Sequence, residues 1–249
     1  IIVDIRDRWS DNKFFFNGFS EEQICQEKKY QDYVLLNASK IICVHKSDKI
    51  LYSKQYNTKN IHYLLNPALP KFIASKKNEF ETTPDSNVSL FFGGTLYNDG
   101  ISLELLTTFL DSIKLKGIQF TFKICGNWDK KIISLLEKKF DVDYLGIINE
   151  TELQHNLKMC DFVISYISFI VPDYINTKII DCVSIGKPIL VISSVKSYVF
   201  DFIKKNKLGK YYLVKKNFKF NGFPNKIDSN QKLFSPKLLT NKLIDIISS

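Results

Sequence analysis

The chain has 249 residues, a length for one or two domains, and its 45% hydrophobic and 14% aromatic residues can fill a sizeable core. Charged residues make up 24% with mixed sign, which argues against wholesale disorder, and no run approaches the roughly 20 apolar residues of a membrane-spanning helix. The net charge of +9 is uneven: residues 201–249 hold 11 lysines and 3 aspartates, a surplus that suits anionic lipid, phosphorylated substrate or nucleic acid, or else forms a solvated lysine surface.

In chain order, Ile1 to Ile5 reads as a strand. Ser20-Glu21-Glu22-Gln23 is a capping box opening a helix to Ala38. Lys40 to Val44 is a strand, Asp48 to Tyr56 a helix, and Ile61 to Leu65 a strand ending in Asn66-Pro67. Residues 67–86 carry three prolines, three lysines and mixed polar residues, and 71–86 reads as the linker between a partial domain (1–70) and a second domain (87–249). The chain begins Ile1-Ile2-Val3 with no methionine or basic-then-apolar leader, so a fragment without a secretory signal is expected.

The second half alternates. Val88 to Phe92 is a strand ending at Gly93-Gly94, and Ile101 to Leu115 has apolar residues at helix spacing. Phe120 to Cys125 is a strand closed by Gly126, and Lys130 to Phe140 is helical. Val142 to Leu145 is a strand closed by Gly146. Asn149 to Glu152 is a capping box for a helix to Met159. Asp161 to Tyr166 is a strand, Asn176-Thr177 caps a helix to Ile185, and Pro188 to Ile192 is a strand. A helix through Asn206, a strand Tyr211 to Val214 and a closing helix follow. Strands that are apolar throughout are buried on both faces, which predicts an α/β fold with parallel sheets and helices on both sides. Glycines after strands line the ligand crevice of such sheets.

The five cysteines include no C-x-x-C pair and read as free thiols, four of them buried. His45, His62 and His155 are too dispersed for a zinc site. No metal and no cofactor are expected. No G-x-G-x-x-G follows a strand, which disfavours nicotinamide binding, and no RNA-binding or helix-turn-helix signature supports a nucleic-acid module.

An ordered set of segments resembles the family 4 glycosyltransferases of the GT-B fold. These are Phe91-Phe92-Gly93-Gly94-Thr95-Leu96-Tyr97, Phe122 to Gly126, Val142 to Ile148, Leu157 to Ile164, and Asn176 to Leu190. In the first 70 residues, Val3-Asp4-Ile5-Arg6-Asp7-Arg8-Trp9 is similar to a D-x-R-D-x-W segment late in the family's first domain, and Asn37 to Val44 and Leu64 to Pro67 follow in order. The resemblance implies two Rossmann-like parallel-sheet domains, with the first lacking its front half. It implies transfer of a sugar from a nucleotide-activated donor to a hydroxyl of a glycan or lipid-linked acceptor, retaining and metal-independent, in glycan or surface-polysaccharide synthesis. A cytoplasmic protein, peripheral on the inner face of a membrane, is the matching expectation. A truncated or inactive nucleotide-sugar-binding remnant is the alternative.

The candidate chemistry gathers at one helix start. Unpaired N–H groups and the helix dipole suit a diphosphate, and Lys178 adds a cation where the dipole disfavours one. Thr177, Lys178 and Asp181 share one helix face; a plain surface Lys–Asp pair is the alternative. The resemblance implies that Lys178 meets phosphate and that Asp181 meets ribose. It further implies that Asp173, separated from Asp181 by seven residues in the place of the family's E-x7-E, meets the donor sugar, with both carboxylates one methylene shorter than glutamate. Asp173 could also serve as a turn residue. Expected donor-binding residues are Gly93, Gly94, Thr95, Gly126, Ile147, Ile148, Asn176, Thr177, Lys178 and Asp181, with Asp173 and Lys178 catalytic. The segment 93–100 contains no base, a departure from many family members. Asp141-Val142-Asp143 is a literal D-x-D but opens a strand, and is read as structural rather than metal-binding. In residues 200–223 aromatics alternate with lysines, suiting either a membrane surface or the core of the last βα unit.

Overall fold

The structure, a computed structural model, describes residues 1–10, 16, 18–58, 60–69, 87–96, 101–168, 172–224 and 231–249. The expected linker 71–86 and the segment 97–100 lie outside the described residues. The chain divides into two units, Ile1–Pro67 with Pro236–Ser249, and Ala68–Ser235.

In the first unit, strands β1 (Ile2–Ile5), β2 (Lys40–Cys43) and β3 (Ile61–Tyr63) form a parallel sheet in that order. Helices α1 (Glu21–Leu36) and α2 (Lys46–Gln55) connect them. The Ser20 capping box is present: Ser20 Oγ accepts from Gln23 N, and Gln23 Oε1 accepts from Ser20 N. Leu35 and Tyr52 pack on Ile5, Ile41, Cys43 and Ile61. The D-x-R-D-x-W segment is a hydrogen-bond corner. Arg6 pairs with Asp4 and donates to Asn66, Arg8 pairs with the buried Asp48, and Trp9 Nε1 donates to Glu27.

The last helix, α8 (Pro236–Ser248), belongs with this first unit, whereas the sequence places it with the second domain. Its stripe Leu239, Leu243 and Ile246 packs on Ile42, Leu64 and Leu65. Lys40 Nζ donates to the carbonyls of Ile246 and Ile247, where a cation complements the helix C-terminus.

The second unit is a six-stranded parallel sheet of β4 (Val88–Gly93), β5 (Phe120–Cys125), β6 (Asp141–Tyr144), β7 (Phe162–Tyr166), β8 (Ile189–Ser193) and β9 (Gly209–Leu213). Its order is β6-β5-β4-β7-β8-β9. The helices are α3 (Ile101–Lys114), α4 (Lys130–Glu137), α5 (Glu150–Met159), α6 (Thr177–Ile185) and α7 (Tyr198–Lys205). Alternate strand residues feed the two faces. Leu90, Phe92, Phe122, Ile124 and Ile164 pack with the apolar sides of α3 and α4, while Phe91 and Val163 face a cavity also lined by α5 and α6. Chain progression reverses between β4 and β7, and in open α/β sheets that switch point opens a crevice at the carboxyl ends of the strands.

The aromatics of residues 200–223 resolve toward the core reading. Tyr212 and Phe220 are buried and stack on each other, Phe109 packs against both, and Phe223 stacks on Phe162. Those rings are not available to a membrane surface. No helix among the described residues is long and apolar enough to cross a membrane.

The D-x-D carboxylates lie on the edge strand β6, two residues apart and so on one face. Asp141 Oδ2 accepts from Thr121 Oγ1 at 2.7 Å, and Asp143 pairs with Lys123 at 3.6 Å. Both tie β6 to β5, an ordinary cross-strand use of charge. Among the described residues no group of three or more His, Cys, Asp and Glu side chains gathers to hold a metal.

Candidate functional site

A cavity of about 270 Å³ opens at the switch point, over the carboxyl ends of β4, β5 and β7. Of the expected site residues it is lined by Gly93, Gly94, Gly126, Ile147, Ile148, Thr177, Lys178 and Asp181. Its remaining lining is apolar: Phe91, Cys125, Leu153, Leu157, Val163 and Cys182.

The start of α6 forms one wall. Asn176 Oδ1 accepts from Ile179 N at 3.0 Å, and Asn176 Nδ2 donates to Ser165 Oγ at 3.1 Å. Ser165 is buried on β7, so the sheet fixes the cap and the cap fixes the helix start. Asn176 therefore supports the wall from behind. The N–H groups of the first helical turn not bonded by the cap are oriented for an anion. Thr177, Lys178, Asp181 and Cys182 follow at helical spacing and share the face toward the cavity.

Lys178 reaches across to the first glycine loop. A methyl group built on Gly94 would lie 2.6 Å from Lys178 Cε and 3.0 Å from Nζ. Gly94 also has φ +100°, which side-chain-bearing residues rarely adopt. The glycine thus makes room for the lysine. Burial lowers the Lys178 pKa from its ordinary value, opposed by the neighbouring Cys182 and Cys125 sulfurs. An ammonium held in such a place gains by meeting an anion.

The second loop packs under the first. Gly126 N donates to Gly146 O at 2.7 Å, and Gly94 N donates to Cys125 O at 2.9 Å. Trp128 Nε1 donates to Gly94 O at 2.8 Å, and Tyr144 Oη donates to Gly126 O at 3.0 Å. The glycine loops after β4, β5 and β6 are laced together, which presets the floor of the opening. Ile147, beside it, is 82% exposed.

Asp181 is carried into a partly desolvated place, and burial raises its pKa from 3.8 to about 6. The folded protein therefore binds this proton more tightly than the unfolded chain does. Stability is expected to fall as pH rises from about 4 through about 6, then to level off. Since the carboxylate keeps solvent contact, the change should be on the order of 1 kcal/mol. Urea unfolding of the native chain and of Asp181→Asn at pH 4.5 and pH 7 checks this: the substitution should remove that part of the slope. Equal pH dependence of both proteins would show that the carboxylate titrates as in water.

Three expected residues stand apart from the lining: Asn176, which caps α6 from behind, Thr95 and Asp173. Thr95 is exposed beyond Gly94 and does not line the cavity. Asp173, expected to meet the donor sugar, also lies outside the lining: its Oδ1 accepts from Tyr198 N at 2.8 Å. Tyr198 opens α7, so this carboxylate satisfies a helix N–H with no partner inside the helix. The sequence reading missed the apolar floor. Its one visible signal is that Cys125 ends a strand beside Gly126, where a strand terminus meets the crevice.

No protein-family model and no curated protein matches the sequence. Solved structures do. A mutant of S. aureus TarM in complex with fondaparinux, alpha-GlcNAc-glycerol and UDP superposes with a TM-score of 0.59 at 16% identity, covering 99% of this chain and 50% of that one. WaaG, a glycosyltransferase involved in lipopolysaccharide biosynthesis, gives 0.54 at 12% identity, covering 98% and 68%. A glycosyltransferase from Rickettsia africae gives 0.55 at 16% identity, covering 89% and 66%. The chain spans about half the length of the TarM structure. At these identities the likeness is one of fold. The fold is α/β of the GT-B type, with two parallel-sheet units, as the sequence predicts.

Proposed function

We propose that this chain carries the donor-binding part of a glycosyltransferase similar to family 4, acting on a nucleoside-diphosphate sugar and a glycan hydroxyl. The observation that carries the reading is Lys178 lying against Gly94 at the start of α6, over a cavity at the switch point of a parallel sheet. In this role the N–H groups of α6 and the Lys178 ammonium receive the diphosphate, and the Asp181 carboxylate accepts from ribose hydroxyls. As the donor's glycosidic bond breaks, charge grows on the departing diphosphate, and a preset cation with oriented N–H groups stabilises it without reorganisation. Retention follows from the resemblance, the acceptor hydroxyl attacking from the face the diphosphate leaves. Two of the similar structures support the donor class and the setting: the TarM structure contains UDP, and WaaG is described as acting in lipopolysaccharide biosynthesis.

The proposed chemistry is metal-independent, since the helix terminus and Lys178 supply the positive charge and the D-x-D carboxylates are engaged with Thr121 and Lys123. UDP should bind the chain in calorimetry with the same affinity in excess chelator as in magnesium or manganese. Binding that requires the metal would overturn this assignment, and no binding in either condition would remove the donor site. A second reading, binding of the nucleotide sugar with weak or no transfer, is favoured by Asp173, whose carboxylate is engaged with the start of α7. Donor hydrolysis or transfer by the chain decides between the two.

A further inference from the structure

The lysine surplus of residues 201–249 is sorted by the fold. Lys204 and Lys205 close α7, where cations complement the helix C-terminus, and Lys207 follows directly. Lys210 Nζ donates to the carbonyls of Asn221 and Gly222. Lys237 and Lys242 lie on α8 in the first unit. These lysines have local or structural settings.

Another group gathers at the ends of two adjacent strands. Lys215 and Lys216 follow the end of β9 and enter a turn closed by Phe218 N donating to Lys215 O at 2.8 Å, and Lys219 follows that turn. Lys196 follows the end of β8, with its Nζ 4.6 Å from the centroid of the Phe200 ring. Strand register pairs Ser193 with Leu213, so Lys196 and Lys215–Lys216 leave the sheet at the same level from adjacent parallel strands. All four lysines are exposed, and none takes part in an ion pair among the described residues.

All the strands of this sheet are parallel, so this edge is the same one that bears Gly94, Gly126 and the start of α6. In the order β4-β7-β8-β9 the lysines begin one strand beyond the cleft. At the usual strand spacing of about 4.8 Å they form a cationic rim roughly 5–10 Å to one side of it. Three rings that could sit in lipid headgroups or stack on bases, Phe202, Tyr212 and Phe220, are buried, and the half-buried Phe200 is covered by Lys196. The four lysines present charge on flexible stems, suited to a solvated polyanion.

We propose that Lys196, Lys215, Lys216 and Lys219 form a track for an acidic polysaccharide, which is the acceptor of the cleft beside it. This rests on the donor reading for the word acceptor; the track itself does not.

The test uses the full chain and polygalacturonate as probe, with binding measured over a salt series. Replacing Lys196, Lys215, Lys216 and Lys219 by glutamine should weaken binding on the order of tenfold at low salt and flatten its salt dependence. Lys204→Gln with Lys205→Gln, Lys207→Gln and Lys138→Gln, the last at the end of α4, makes the same charge change elsewhere in this unit and should leave affinity within about twofold. UDP affinity should be unchanged in both variants, and neutral dextran should not bind. Equal losses in the two variants would mean a net-charge effect and overturn the track, as would no binding of polygalacturonate at low salt. Tighter binding to an oligonucleotide or to phosphatidylglycerol vesicles than to polygalacturonate would assign the rim to nucleic acid or to membrane instead. A chain that binds polygalacturonate through these lysines but not UDP would keep the track and lose the donor reading.

Discussion

Replacing Lys178 by alanine is expected to lower the affinity for UDP by about 10- to 100-fold. A hydrogen bond between a charged group and its partner is worth about 1.5–3 kcal/mol, and each 1.4 kcal/mol is a factor of ten. The effect should appear equally with free UDP and with a UDP-sugar, because the contact is to the diphosphate both share. Fold stability should not suffer. In the free protein the amine is half-buried against Gly94, with burial lowering its pKa, so its removal gives up little. A drop in nucleotide affinity with an unchanged thermal midpoint thus separates a binding role from a packing role. Calorimetry showing unchanged affinity would take Lys178 out of the site.

The second large effect is expected at Gly126. Its φ is +117°, and a methyl group there would lie 2.8 Å from the Gly94 carbonyl carbon and 3.0 Å from its Cα and oxygen. Those neighbours are backbone, held by Gly94 N to Cys125 O and by Trp128 Nε1 to Gly94 O, so they cannot turn aside as a side chain could. Gly126→Ala should therefore cost backbone strain and overpacking together, about 3 kcal/mol or more. It should also displace the loop over which Lys178 lies, and UDP binding should fall with stability. Gly146→Ala is the internal control. Its φ of +67° is left-handed as well, but an added methyl meets no atom within 4 Å. Strain alone remains, about 1 kcal/mol. Thermal melts that rank the two variants equally would mean that backbone conformation matters here and the close approach of the loops does not.

Both substitutions fall in a cleft whose outline is legible in the sequence. Eight of the residues named from the resemblance line it: Gly93, Gly94, Gly126, Ile147, Ile148, Thr177, Lys178 and Asp181. They were legible because each sits at or just past a strand end or on the first turns of one helix, where position along the chain nearly fixes position at the crevice. Asp173 was not placed by the same reasoning. Its loop is drawn to the start of α7, and a seven-residue spacing says nothing about which helix N–H a carboxylate will meet.

What the sequence determined by itself is local. Apolar runs closed by glycine became strands, and the side-chain caps at Ser20, Asn149 and Asn176 start their helices where read, because a cap and the N–H it satisfies lie two or three residues apart. The parallel sheets follow from strands apolar on every side. Contacts between distant residues were decided only in the tertiary structure. The closing helix joined the first unit because Leu239, Leu243 and Ile246 match the surface of Ile42, Leu64 and Leu65, and because Lys40 reaches its last carbonyls across some two hundred residues of chain. Tyr212, Phe220 and Phe223 of the basic segment turned inward because Phe109 and Phe162, on other elements, offered them a core. Lys215, Lys216 and Lys219 were left in solvent, and Lys196 and Lys215–Lys216 leave the sheet at one level by the register of two strands rather than by any pattern in the sequence.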